Sequence, residues 1–560
     1  MATLSSKFKN YLQDYIPKSV TCFREGYSFK TFVGDLGAGA TVGVIALPLA
    51  MAFAIGSDVP PERGLFTAII AGFLISLLGG SRVQIGGPTG AFVIIVFGVI
   101  QKFGYEGLAV ATFIAGILMI LMGLARCGVL LKFIPYPVTT GFTTGIAVSI
   151  FSSQIKDFFG LKMDKLPTGF IDKWTCYGHS AHSCEPWAFF VALGTLILIF
   201  VLRRLYPRLP AVIIAIVVGT IFTYLVGLPI DTIESKFGGI PRTLPSPSFP
   251  NMTWNQIQDV FPDAITIALL AGIESLLSAM VADGMTGYRH RSNCELVAGG
   301  FANIGSVFFG GIPATGAIAR TTANIKMGAK TPVAGMIHAI TLMMLMLLCA
   351  PLAAKIPLAS LAAVLMFVAW NMSELDHFFG ILRSQLSEAI VLVTTFLLTV
   401  LIDLTVAVQV GVLLSAILFL KKMTDSTTVK ACKVVIDEEE HQAPQLHDSD
   451  ILFRKDVPAD VTVFEITGPF FYGISDLLNE VLKRLPQKPR VFILRMHKVP
   501  LVDTTGLQAM KKFALKCREE GIIFRISGIQ KDVLAQFKKV KLDELIGDNN
   551  FFPNIDAALK

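Results

Sequence analysis

From Val33 onward the chain returns again and again to an apolar run of membrane-spanning length, and this recurrence limits the fold more than any other feature. A bilayer core takes about 20 apolar residues as a helix. Runs approaching that length lie at 34–56, 64–80, 105–125, 135–155, 187–204, 209–227, 262–282, 293–309, 333–354, 358–373, 386–402 and 404–420. Two more, 88–101 and 316–325, are too short or too interrupted to cross alone. Only 16% of residues are charged and 53% are hydrophobic, whereas soluble proteins are about 25% charged. Such a chain cannot cover itself with a hydrated surface, so a single soluble globule is excluded. The expected fold is a polytopic α-helical membrane protein of fourteen segments.

Residues 1–32 are polar and lack the short apolar stretch and small-residue cleavage site of a signal peptide. The first run is therefore expected to be a retained helix. An even number of segments puts both termini on one side. Short loops on one side carry Arg82, Arg126 with Lys132, the Arg203/Arg204/Arg208 group, Arg289 with Arg291, and Lys421 with Lys422. By the positive-inside rule that side, and both termini, are cytoplasmic, as in a multi-pass protein of the bacterial inner membrane. The same loops account for the net charge of +7. No basic block points to nucleic acid.

The eight cysteines form no CxxC pair and no zinc spacing, so no metal is expected. Cys176 and Cys184 share a polar loop expected outside, where an oxidising compartment would allow a disulfide.

The domain limits expected are a cytoplasmic segment at 1–32, a transmembrane transport domain at 33–422, a linker and start of the tail at 423–460, and a soluble domain at 461–560. The linker holds the acidic run Asp437–Glu440. In the tail, β-rich stretches Val461–Ile466, Val491–Met496 and Ile522–Ile526 alternate with helical patterns at 474–485, 504–520 and 530–546. That alternation reads as a small α/β domain.

A duplicated phrase bears most directly on function. Gly86-Gly87-Pro88-Thr89-Gly90 opens one short apolar segment, and Gly310-Gly311-Ile312-Pro313-Ala314-Thr315-Gly316 opens the other. Seven segments fall in each half, and an odd number per half turns the second copy upside down. In hydrocarbon every backbone polar group needs a partner, so such breaks survive only inside protein or beside a watery cavity. A half-helix beginning there directs free N–H groups and the positive end of its dipole into the cavity. Two of them from inverted repeats make a midplane site suited to an anion. Close helix packing alone would not require the same break in both halves.

Two charges within apolar segments stand out. Arg320, a few residues into the second broken helix, would add positive charge to that cavity, unless it snorkels or meets a structural carboxylate. Glu274, in Leu270–Ser278, is the other. Desolvation disfavours a carboxylate's charged form, which suits it to carry a proton. A Na⁺ site helped by Ser278 and a helix-packing hydrogen bond are the alternatives. Asp283, near its helix end, is expected to cap or face water. His338 and His377 read as core or interface histidines.

The runs Gly43–Ala54, Gly86–Gly90 and Ser292–Leu296 followed by Asn303 resemble the SulP/solute carrier 26 anion transporters across nearly the whole chain. The chain is most similar to the bacterial branch of proton-coupled four-carbon dicarboxylate transporters, the DauA type. The resemblance implies seven-plus-seven inverted repeats split into core and gate bundles, and a homodimer. It also implies a substrate site lined by Leu49 and Phe53 from the first helix. Gly87, Pro88, Thr89 and Gly90 would line it from the third segment, and Ala319, Arg320 and Thr321 from the tenth. Glu274 falls where sodium–bicarbonate members carry an aspartate, and Ser278 where they carry a hydroxyl. The longer Glu resembles proton-coupled members and makes H⁺ the expected coupling ion, with Na⁺ second. The tail resembles a STAS domain. There Leu501–Leu507 matches a turn phosphorylated in anti-sigma-factor antagonists, and Thr505 is the candidate residue. A plain capping turn by Asp503 and Thr504 is the alternative. STAS domains in transporters regulate, assemble or bind cytoplasmic protein partners.

The leading expectation is therefore a secondary transporter of a small inorganic or carboxylate anion by alternating access, with a proton. Succinate, fumarate, aspartate, sulfate and bicarbonate all fit. An anion sensor signalling through the STAS domain and an anion channel are the readings from other classes. With no metal cluster, nucleotide loop or triad, and no cofactor implied, the chain does not read as an enzyme.

Overall fold

Each of the fourteen segments marked by the hydropathy pattern carries a helix in the computed structural model. The structure describes residues 13–129, 135–163, 167, 169–206, 209–250, 253–402, 404–431, 458, 460–471, 482 and 488–560. The helices are α1 (Phe29–Gly56), α2 (Pro61–Leu78), α3 (Gly90–Leu124), α4 (Tyr136–Phe158), α5 (Pro186–Leu205), α6 (Ala211–Val226), α7 (Trp254–Thr286), α8 (Ser292–Phe308), α9 (Ile318–Lys326), α10 (Val333–Ala353), α11 (Leu358–Met372), α12 (Leu386–Leu401) and α13 (Leu404–Ser426). The segments expected at 88–101 and 105–125 are the two parts of α3. Gly104 divides them at φ 67° and ψ −172°, a backbone geometry that only glycine adopts readily. Among the described residues, eight helical stretches are long and apolar enough to cross a membrane by themselves.

Helix ends follow capping chemistry rather than hydropathy. α7 begins eight residues before its apolar run because Thr253 and Gln256 form a capping box, and it ends at Gly287 in the left-handed region. The polar loop before α5 folds as a helix, Phe170–Ser180, followed by a tight 3₁₀ turn, Ala181–Ser183. That corrects the disulfide expectation. Cys176 lies on the helix and Cys184 just past the 3₁₀ turn, and both thiols are free.

The chain divides into two compact units, Met1–Leu413 and Leu414–Lys560. Within the first unit α1, α2, α3, α7, α8 and α10 pack as one bundle, and α4, α5, α6, α11 and α12 as another. The broken segments of the two halves meet in a two-residue antiparallel pair, β1 (Gly86–Gly87) with β2 (Thr315–Gly316), Gly86 opposite Gly316. Antiparallel pairing of equivalent strands is what a two-fold axis in the membrane plane produces, and so it follows from an inverted repeat.

The second unit is built on a five-stranded sheet in the order β3 (Thr428–Ala431), β4 (Val461–Thr467), β5 (Val491–Lys498), β6 (Ile523–Ser527) and β7 (Phe551–Phe552). β3 is antiparallel to β4 and the other pairs are parallel. Phe464, Phe492, Phe524 and Ile526 pack one face against Met510 and Phe513 of α14 (Thr504–Glu519). The expected 530–546 helix is two helices, Lys531–Lys539 and Leu542–Ile546, separated where Lys541 takes φ 56°. The acidic run Asp437–Glu440 and, apart from Leu482, the helix expected at 474–485 lie outside the described residues.

Candidate functional site

The β1–β2 pair sets the N-terminus of α3 beside that of α9, and neither N-terminus is capped by a side chain. The first N–H groups of a helix have no partner within it and are normally met by a Ser, Thr, Asp or Asn at the N-cap. α3 has a capping residue, Thr89, but its Oγ1 donates instead to Glu274 Oε2 at 2.9 Å. The N-cap of α9 is Ala317, which has no polar side chain to offer. Two positive dipole ends thus stay open at one place, and Ile318 and Ala319 in the first turn of α9 are exposed.

Arg320 lies beneath this pair. It is 5% exposed, and its Nη2 donates to the Pro88 carbonyl. Among the described residues its Nη1 has no hydrogen-bond partner. Gly87, at φ +145°, leaves room for the guanidinium. A Cβ there would come within 2.8 Å of Arg320 Nη1. Each helix end contributes about half an elementary charge, so with the guanidinium the site offers about two positive charges. Thr321 and Ser278 are fully buried and bond to each other at 3.1 Å, and Thr321 Oγ1 also accepts from Ile85 N at 3.0 Å. They fasten α9 to α7. Glu274 is half-buried and shares its hydrogen bond with the cap residue of α3.

Phe53 is buried on α1 and Leu49 half-buried one turn earlier, just past Pro48, which interrupts the helix ladder. A methyl group replacing the Gly90 hydrogen would lie 3.5 Å from Phe53 Cε1, 2.9 Å from Met372 Sδ and 3.6 Å from Ile150 Cδ1. Met372 ends α11 and Ile150 is on α4, so the second bundle supplies one wall. Neither residue carries a signal in the sequence beyond being apolar.

The sequence also marked residues without showing their task. Glu295 is fully buried, and its Oε2 accepts from Gly80 N at 2.7 Å and Ser81 N at 3.1 Å, pinning the loop before β1. Asn303 donates to the Ala314 carbonyl at 2.9 Å and accepts from Ala314 N at 2.9 Å, pinning the loop before β2. On the opposite helix, Arg63 Nη1 donates to the Gly310 carbonyl at 3.0 Å, and Thr67 Oγ1 accepts from Ile312 N at 2.7 Å. Each broken segment is thus held by a helix of the other half.

Asp283 Oδ2 accepts from His290 N and meets His290 Nδ1 at 2.7 Å. His338 is buried in α10, and His377 lies 3.7 Å from Glu374 at the surface. In the second unit Asp503 Oδ1 caps α14 by accepting from Gly506 N at 2.6 Å, and Thr505 is exposed in the first turn.

Comparison with known proteins decides the family. The model of the sulfate permease family matches residues 32–395, and that of the STAS domain matches residues 453–558. The chain belongs to the sulfate permease family. YvdB of Bacillus subtilis, provisionally named a sulfate transporter, is 41% identical over 535 residues, which is 95% of this chain and 98% of YvdB. The bicarbonate transporter BicA of Picosynechococcus is 28% identical over 95% of each chain. Among solved structures, the transmembrane domain of a cyanobacterial BicA superposes with a TM-score of 0.63 at 32% identity, over 68% of this chain and 98% of that one. Murine solute carrier 26 member A9, in its inward-facing state, superposes with a TM-score of 0.86 over 98% of this chain and 94% of its own. At 19% identity that likeness speaks for the fold alone. This member of the family is a multi-pass anion transporter with a separate STAS domain, not an enzyme.

Proposed function

We propose that this transporter takes up a small divalent anion together with a proton, moving the α3–α9 site past the second bundle by alternating access. The observation that carries the reading is the pairing of two uncapped helix ends and a buried guanidinium with Glu274, hydrogen-bonded through Thr89 to one of those ends. About two positive charges match a dianion when Glu274 is protonated. When Glu274 is ionised its charge competes with the substrate. Protonation and dianion binding therefore favour each other, which is the linkage a symporter needs. Four-carbon dicarboxylates such as succinate and fumarate, and aspartate, are the first substrate reading. Sulfate shares their charge and is supported by kinship with YvdB.

Bicarbonate is the second reading, favoured by the likeness to BicA. As a monoanion it would balance the site's about two positive charges together with an ionised Glu274, so no proton would accompany it and Na⁺ would be the coupling ion. We place the protein in a bacterial inner membrane as a homodimer, with its termini and STAS domain in the cytoplasm. The test is uptake into proteoliposomes with an acidic exterior and no sodium, using labelled fumarate and sulfate in parallel. Accumulation of either that a protonophore abolishes supports the reading. Accumulation of bicarbonate alone, and only with sodium, would replace it with the second.

A further inference from the structure

A polar cavity of about 330 Å³ lies between the two bundles, where α1 ends. Its walls include Asp58 just past α1, Phe97 on α3, and Ser153, Lys156 and Asp157 on α4, with Lys236 from the loop before α7. Phe97 is seven residues from Gly90, about 10 Å along the helix at 1.5 Å per residue. Gly56, packed against Val93, Leu365 and Gln154, lies in the seam between the two bundles beside this cavity. In the expected orientation this is the external side.

Behind the Phe97–Ser153 wall stands Lys173, on the Phe170–Ser180 helix. It is 6% exposed, donates to Ser153 Oγ at 3.1 Å, and its Nζ lies 5.0 Å from the centre of the Phe97 ring. Among the described residues no carboxylate pairs with it. The other charges on the cavity do have partners. Lys236 faces Asp157 at 3.4 Å, Lys156 donates to the Met163 carbonyl, and Asp58 accepts from Gln101 at 2.8 Å. A buried ammonium without a counter-charge costs several kcal/mol, and one hydroxyl satisfies only one of its three donors.

We propose that this cavity is a second anion site, an external vestibule in which a small inorganic oxyanion pauses on its way to the α3–α9 site, held by the positive charge of Lys173 acting from behind the Ser153 hydroxyl. Counting Lys173 behind its wall, three ammonium groups stand at the vestibule against two carboxylates, so an anion entering it supplies the missing charge. The inference rests on the transport reading for its role, though not for the binding itself.

Burial also pushes the Lys173 ammonium down to about 8. The charged groups on the cavity are Lys156 and Asp157 on α4, Asp58 and Lys236, and α12, which packs on the Phe170–Ser180 helix, carries Glu388 in its first turn. Burial, rather than any of these, is the cause of the shift. Lys173 is charged below that value and neutral above it. Anion capture is therefore present at lower pH and declines as pH rises through about 8.

The test uses sulfate, which stays fully ionised over this range, in uptake by right-side-out vesicles between pH about 7 and about 9. Lys173→Met, which keeps the apolar stem, should raise KM about tenfold, the loss of one nearby positive charge, and leave the maximal rate unchanged. Lys173→Arg should keep the low KM and hold it across the whole range, because a guanidinium does not titrate there. An unchanged KM in Lys173→Met, or a maximal rate that falls at unchanged KM, overturns the proposal. If Lys173→Met does not reach the membrane, Lys173→Arg decides, and a wild-type pH profile in it counts against the role. Selenate, located by its anomalous signal in crystals of the full chain, reads the site without transport. Occupancy in the wild type that is lost in Lys173→Met supports the vestibule, and no occupancy in the wild type refutes it. A wild type that moves no sulfate bears on the transport reading, and the selenate result then decides the vestibule.

Discussion

Arg320 and Glu274 divide two tasks that a single charge could not perform. Arg320 is held against the Pro88 carbonyl under the open helix ends, where it raises the local potential without blocking the entrance. Replacing it with Ala removes that charge but leaves both helix ends in place. Substrate affinity should fall about tenfold or more, since a charged contact is worth about 1.5–3 kcal/mol. Equilibrium binding of labelled substrate to purified protein measures this, and unchanged affinity would take Arg320 out of the site. Glu274→Gln keeps an acceptor for the Thr89 hydroxyl while losing the exchangeable proton. Binding and substrate exchange should persist, whereas uptake should lose its dependence on external pH. Initial rates across a pH series would check it, and a wild-type profile would move the proton elsewhere.

At the scale of elements, the site is a pair of interrupted helices that cannot hold themselves in place. Two residues of β-pairing and a short half-helix, Ile318–Lys326, are too little structure to be stable alone. The neighbours do the holding, through Glu295 on one side and Arg63, Thr67 and Asn303 on the other. Asn303→Ala would leave the Ala314 N–H and C=O buried without that partner, at about 1–3 kcal/mol for each unsatisfied group. A lower melting temperature in detergent should accompany weaker substrate binding. If the fold is destabilised while affinity is untouched, the clamp does not shape the site.

This is also where the sequence stops being readable. The Gly/Pro breaks announced both half-helices because hydrocarbon punishes an unpaired backbone wherever it occurs. The β1–β2 register, the Asn303 clamp and the Met372–Ile150 wall join residues far apart in the chain. Nothing local in composition or spacing encodes those contacts. The resemblance assigns Thr321 to the substrate site and Ser278 to the coupling ion, and their hydrogen bond to each other is a tertiary contact that no local pattern encodes.

For the molecule as a whole, charge and periodicity were enough to separate a membrane body from an α/β tail, since they follow from solvent alone. The strand Thr428–Ala431 went unread because it sits in polar sequence and owes its conformation to pairing with β4. Substrate identity lies further still from the sequence, because it depends on how many polar groups replace the anion's water in a space walled by both bundles. The central claim is that a dianion enters only with a proton carried by Glu274. Its most direct test is a pH-sensitive dye trapped in proteoliposomes held without an imposed pH gradient, to which fumarate or sulfate is added outside. The account predicts that the lumen acidifies in step with substrate entry in the wild type and not in Glu274→Gln. Substrate entry into wild-type liposomes without acidification would contradict it.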